Sequence, residues 1–249
     1  MKRLVARWAP RDNLLAVELD VSMERQAQAS AAAALERFGR IDVLVNDAGR
    51  GLVSAVEEAS EEEVRSVFAV NVEGPLTVTR AVQPSMRARR SGRILNVSSV
   101  GGFSVGAGWG IYGATKFAVE GISEALRAEL LPVGIHVTII EPGVFRTDFL
   151  DSSSLVHMAK RIDEYSGTAG ASRAWAESTN QAQAGDPVKA AAAILEIATV
   201  EDPPLRLQLG ADCVARLEAK LELVASELGR WRTLAMSTAY EQQPATVSR

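Results

Sequence analysis

Residues 93–116 read RILNVSSVGGFSVGAGWGIYGATK: a short β-branched run, a pair of serines, a glycine-rich connection and the opening of a helix. RILNV (93–97) has the length and composition of a buried strand. The stretch from Tyr112 to residue 131 carries apolar residues at helical spacing, and HVTII (136–140) follows as a second apolar run. A strand joined to the next strand through a helix makes the two strands parallel neighbours. Outward in both directions the alternation continues. LLAVEL (14–19), IDVLV (41–45) and LRLQL (205–209) read as further strands, and 23–38, 61–90 and 187–199 as helices. The expectation is an α/β fold, a mostly parallel sheet covered on both faces, with ligands bound beyond the carboxyl ends of its strands.

The chain has 249 residues, 47% hydrophobic and 23% charged, so one domain spanning 1–249 is expected. Lys+Arg number 27 against Asp+Glu 31, a formal charge of −4 with no long block of one sign, which argues against a nucleic-acid partner. A single cysteine and two histidines exclude an internal disulfide and argue against a metal site. No apolar run approaches the roughly 20 residues that span a bilayer, so no membrane partner is expected, and the location expected is the cytoplasm.

Local signals refine the elements. Ser60 and Glu63 form a capping box ahead of the second helical stretch, in which Pro75 and Pro84 predict a kink. Gly39 is placed to stop the first helix. Residues 151–186 are rich in Ser, Ala and Gly and read as a mobile or partly helical excursion whose Trp175, Tyr165 and Met158 lid a pocket. Residues 211–249 read as a C-terminal helix and a frayed tail.

The sharpest constellation is Ser99, Tyr112 and Lys116, with Asn71 upstream. Tyr112 and Lys116 are four apart and share a helix face. A free phenol has a pKa of about 10, so a tyrosine base near neutral pH needs a shift of about 3 units, roughly 4 kcal/mol. An exposed charge pair supplies a few tenths of that. The rest requires a low-dielectric cleft and the positive end of the helix dipole. Ser99, at a strand end, is placed to hold a substrate oxygen beside the phenol, and Ser98 is the neighbouring alternative. Without such a cleft, Tyr112 is an ordinary aromatic and Lys116 a solvated helix charge.

These motifs resemble the short-chain dehydrogenases/reductases. NDAG (46–49) resembles the family's Asn-Asn-Ala-Gly, with Asp47 in place of the second Asn. NVEG (71–74), the serine thirteen residues before Tyr112, the Tyr-x-x-x-Lys and EPGVFRTDF (141–149) follow in the family's order. YGATKFAVEGISEALRAEL with EPGVFRTDFL looks most like the 17β-hydroxysteroid-dehydrogenase-like branch. The resemblance implies a Rossmann-like three-layer α/β/α fold and an oxidoreductase that uses NAD or NADP to interconvert a small-molecule secondary alcohol and a carbonyl. It implies that Tyr112 is the general acid/base, that Lys116 binds the nicotinamide ribose, that Ser99 orients the substrate oxygen and that Asn71 anchors a relay water. On the cofactor side it implies Asp20 and Val21 at the adenine, Asn46, Ala48 and Gly49 along the adenosine, and Pro142, Gly143 and Thr147 at the nicotinamide. Asp20 has a second reading as a cap of the helix near Met23. The family also implies a homo-oligomer built on the helices at 61–90 and 112–131.

The family's opening Thr-Gly-x-x-x-Gly-x-Gly has no counterpart here, so the chain reads as N-terminally truncated, with residues 1–8 as the tail of a lost helix. GGFSVGAGWG follows the serine strand and is not that loop. The expected consequences are an apolar unpaired edge at 41–45, a strand at 14–19 stripped of its neighbour, and a dinucleotide held without its main anion site. The alternative reading is a catalytically inactive remnant, or an interaction module, that does not bind the dinucleotide.

Overall fold

The computed structural model describes residues 12–156 and 160–240. The expectations for residues 1–8, Met158 and the end of the tail fall outside them. Helix α1 (Glu24–Phe38) ends at Gly39 in the left-handed conformation, φ 77°, its N–H donating to the Leu35 carbonyl. Then come β1 (Val43–Asn46), β2 (Gly51–Leu52), α2 (Glu61–Phe68), a π turn (Ala69–Glu73), α3 (Gly74–Arg89) and β3 (Gly92–Val97). The chain continues through α4 (Gly110–Leu130), β4 (Ile135–Pro142), β5 (Leu155–Val156), α5 (Ala171–Thr179), α6 (Pro187–Ile197), β6 (Arg206–Leu209) and α7 (Ala211–Met236).

The main sheet runs β1–β3–β4–β6, every pair parallel. Strand alternation divides its side chains between two faces. Ile94, Ile135 and Val137 pack with Ala31 of α1, Val82 and Met86 of α3 and Leu130 of α4. Leu95, Ile140 and Leu209 pack instead against Ala190, Ala193 and Ile194 of α6. Helices therefore cover both faces of a parallel sheet, the doubly wound arrangement expected. Four of the five anticipated strands form it.

The fifth does not form. Residues 14–19 make no ladder, and Leu14, Leu15 and Val17 are exposed. A strand exists only where a neighbour takes its N–H and C=O groups. Among the described residues none lies beyond β1, whose Val43 and Val45 are also exposed. The irregularity anticipated at Pro75 or Pro84 takes the form of a π turn at Ala69–Glu73, directly before Pro75, with helical dihedrals on either side, and Pro84 is accommodated within the helix. The capping box is present, with Ser60 accepting from the Glu63 N–H and Glu63 accepting from the Ser60 N–H. The excursion is organised, with α5 at its centre and β5 paired to β2.

One glycine is set by geometry. Gly134, at φ 75°, turns the chain into β4, and a Cβ there would collide with the Arg90 carbonyl oxygen. Gly134→Ala is expected to cost at least about 2 kcal/mol, since a left-handed alanine adds strain to the clash. Urea melts that match the parent within error would contradict this account of the turn.

Candidate active site

Strand β3 leads directly into Ser98 and Ser99. Ser99 accepts at its Oγ from the Gly101 N–H at 3.0 Å, which starts a short 3-10 turn over Val100–Gly102. The chain then returns to begin α4 at Gly110, so Tyr112 and Lys116 occupy its first two turns. That end of the helix carries positive potential. The Lys116 ammonium donates to the Val97 carbonyl at 2.9 Å and stands 5.8 Å from the centre of the Tyr112 ring. The Ser99 hydroxyl lies on the phenol's side and draws the Tyr112 pKa down. One strand end and one helix start thus bring the three groups together, with both Tyr112 and Lys116 buried.

Asn71 lies in the π turn, buried behind this trio. It accepts from the Arg50 N–H at 2.8 Å and donates to the Arg50 carbonyl at 2.9 Å and the Thr115 hydroxyl at 3.0 Å. Thr115 in turn donates to the Tyr112 carbonyl at 2.7 Å. Asn71 therefore ties the loop after β1 to α4. A Cβ on Gly49 would fill the space between them, 3.6 Å from Asn71 Oδ1 and 3.7 Å from Lys116 Nζ.

The electrostatics correct the expectation for the phenol. Burial pushes Tyr112 up to about 12, and the Ser99 hydroxyl only partly opposes it. Burial draws Lys116 down to about 8 against the pull of Asp47 and Glu120. Desolvation dominates both groups, because a low-dielectric surrounding penalises the charged form of each. The Asp47 carboxyl is raised by burial, with Lys116 opposing. Asp47 thus supplies a countercharge beside Lys116, a role that reading it as a replaced Asn did not provide.

Above these groups opens a cavity of about 830 Å³ at the carboxyl ends of β1, β3 and β4. Ser99, Tyr112, Lys116, Gly49, Pro142, Gly143 and Thr147 line it. Other anticipated residues lie elsewhere. Asn46 turns into the core, donating to Asn96 Oδ1 at 2.8 Å and Thr79 Oγ1 at 3.1 Å, while Asn96 donates to Ser123. Ala48 is not in the lining, and neither are Asp20 and Val21. Asp20 is exposed and accepts from the Ser22 N–H and hydroxyl, and its carbonyl accepts from the Met23 N–H. Val21 packs where a Cβ on Gly74 would sit, 2.6 Å from Val21 Cγ2.

The cavity's far wall is aromatic. Trp109 stands edge-on to Tyr112 at 5.7 Å and to Trp175 at 6.4 Å, and Phe149 lies 5.3 Å from Tyr112. Trp175 is therefore a pocket residue, whereas Tyr165 points away and donates to Glu57 at 2.6 Å. The excursion is fastened by Arg173, which donates to the buried Glu58 at 2.7 Å, while Glu58 also accepts from the Ile162 and Ala55 N–H groups. Nothing local in the sequence marks that pair, whose members are 115 residues apart.

Comparison with known proteins agrees with this architecture. The short chain dehydrogenase family profile matches residues 2–155. The chain belongs to that family. A short-chain dehydrogenase from Streptomyces avermitilis superposes with a TM-score of 0.85 at 41% identity, covering 96% of this chain and 85% of that one. Oxidoreductase BOA17 of Botryotinia fuckeliana is 33% identical over 229 residues, 92% of this chain and 83% of its own. Human 17-beta-hydroxysteroid dehydrogenase type 1 is 42% identical over 144 residues, 57% of this chain and 43% of its own. This short chain dehydrogenase has a mostly parallel, Rossmann-like sheet flanked by helices, as its relatives do. No helix among its described residues is long and apolar enough to cross a membrane, and none of its described His, Cys, Asp and Glu residues group as a metal site.

Proposed function

We propose that this short chain dehydrogenase interconverts a secondary alcohol and a ketone or aldehyde with NAD or NADP, through Ser99, Tyr112 and Lys116. The observation that carries the reading is the convergence of a hydroxyl, a phenol and an ammonium on one edge of a cavity whose far wall is aromatic. The donor set fits a nicotinamide riboside. Gly49 leaves the wall beside Lys116 open, Lys116 offers an ammonium to ribose hydroxyls, and Thr147, Pro142 and Gly143 face the opposite side. When bound, the dinucleotide supplies or accepts the hydride at the carbinol carbon. In reduction the Tyr112 phenol would give its proton to the carbonyl oxygen, leaving a phenolate, and in oxidation that phenolate would take the alcohol proton. Ser99 donates to the reacting oxygen and fixes its position. Lys116 keeps positive charge beside the phenolate. Asn71 holds the loop and helix in register at the inner end of a proton path.

The aromatic wall of Trp109, Phe149 and Trp175 supports a lipophilic substrate of small or medium size. The likeness to the 17β-hydroxysteroid-dehydrogenase branch rests on the motif run and the human relative. A homo-oligomer built on the helical stretches 61–90 (α2 and α3) and 112–131 (α4), and a cytoplasmic location, belong to the same reading.

Among the described residues the sheet ends at the open edge of β1, which supports reading them as lacking the family's glycine-rich unit. It also favours the second reading, an inactive remnant whose edge accepts a strand. Titration calorimetry with NADH and NADPH separates the two. Heat of binding that Lys116→Met abolishes supports the enzyme, and no binding at millimolar dinucleotide supports the remnant.

The charge on Lys116 gives a pH test. Reduction is expected to fall as pH rises through about 8, where Lys116 loses its proton. Asp47 holds that proton on, so Asp47→Asn moves the falling limb to lower pH. A limb that moves upward, or stays fixed, contradicts the pairing.

A further inference from the structure

Among the described residues, helix α7 is anchored at its start alone. Cys213 and Leu217 pack against Val100 and Phe103, and from residue 221 onward every described residue is exposed. The projecting part carries a regular apolar pattern. After Leu217, steps of four and three lead to Leu221, Val224, Leu228, Trp231 and Ala235. This is the 3.5-residue repeat of a coiled-coil seam. Leu221, Leu228 and Trp231 are 55%, 54% and 55% exposed. A helical segment this short, with Gly229 inside it, is marginal alone in water. The seam calls for a covering surface.

We propose that the covering surface is the same helix of a second copy of this chain, packed antiparallel. Charge and space both select this arrangement. Residues 217–227 carry Glu218, Glu222 and Glu227 against Lys220, whereas residues 228–236 carry Arg230 and Arg232 without an acid. Antiparallel pairing lays each acidic half on a basic half at both ends of the contact. Parallel pairing lays like on like. Space gives the same answer, because Leu217 holds the first seam position against its own domain, exactly where an in-register parallel helix would have to enter. A lipid surface fits less well. The polar face from 218 to 236 balances three acids with three bases, so an anionic membrane gains no net attraction.

The two-fold axis then passes near Leu228, while the two Leu221 residues lie far apart on opposite sides of it. Sedimentation equilibrium across micromolar concentrations is expected to show Leu228→Glu with half the parent's mass and an unchanged unfolding midpoint. Leu223→Glu, the same chemical change off the seam, keeps the parent's mass. On mild oxidation Leu228→Cys forms a disulfide-linked pair and Leu221→Cys does not. A monomeric parent, or a mass that Leu228→Glu leaves unchanged, overturns the proposal. Cross-linking at Leu221→Cys overturns the antiparallel arrangement, and a monomer that pelts with phosphatidylglycerol vesicles assigns the seam to lipid instead.

Discussion

Tyr112→Phe is expected to lower kcat for carbonyl reduction by about 10³-fold and to change stability by no more than about 1 kcal/mol. The variant deletes one oxygen. The ring keeps its contacts with Trp109 and Phe149, and α4 keeps Lys116 against Val97. What is lost is the hydroxyl that the proposed reaction uses to exchange a proton with the substrate oxygen. The assay follows loss of reduced nicotinamide with a panel of lipophilic ketones. Ser99→Ala is expected to lower turnover as well, and the double variant is expected to fall little further, since residues that act on one oxygen fail together. Parent-like turnover in Tyr112→Phe would remove the basis of the proposed reaction.

The second large effect concerns stability. Arg173→Met leaves the Glu58 carboxylate buried without its cation and is expected to cost about 3 kcal/mol, near the low end for a broken buried pair because two backbone N–H groups remain. Adding Glu58→Gln to that variant recovers part of the loss, because the unpaired charge is gone. The pair also shapes acid stability. Burial pushes the Glu58 carboxyl up, but hydrogen bonds from Arg173, Ile162 and Ala55 outweigh it and bring the group down to about 2 from an ordinary 4.5. Between those values the unfolded chain binds more protons than the folded one, so stability rises with pH through that window. The contribution is complete above about 4.5 and is lost as the pH falls toward 2. Urea midpoints from pH 5 downward should show a shallower acid slope in Arg173→Met. Because Trp175 shares a helix with Arg173 and lines the cavity, KM is expected to rise in the same variant. An unchanged urea midpoint would mean that the pair does not fasten the excursion.

The parts of the fold that followed from local chemistry were legible. Gly39 and the Ser60–Glu63 box are short-range devices, and both operate as read. Ser99, Tyr112 and Lys116 were legible for a related reason: one strand end and one helix face bring them together, so spacing alone fixes their meeting. Residues 14–19 were misread because β-branched composition describes a strand's preference and not the neighbour it requires. Asn46 was placed toward a ligand by motif position, yet strand register turns it into the network with Asn96 and Thr79.

By itself, then, the chain's sequence determined the alternation of strands and helices, the polarity of the sheet, and the meeting of Ser99, Tyr112 and Lys116, because each depends on contacts within a few turns or across one crossover. Only the tertiary structure decided the direction of the Tyr112 and Lys116 shifts, the Asp47 countercharge, the Glu58–Arg173 fastening and the free seam of α7. These depend on how much water the rest of the molecule excludes from a group, and on which distant residue arrives beside it. Burial is a property of the assembled fold, and no short window of residues encodes it.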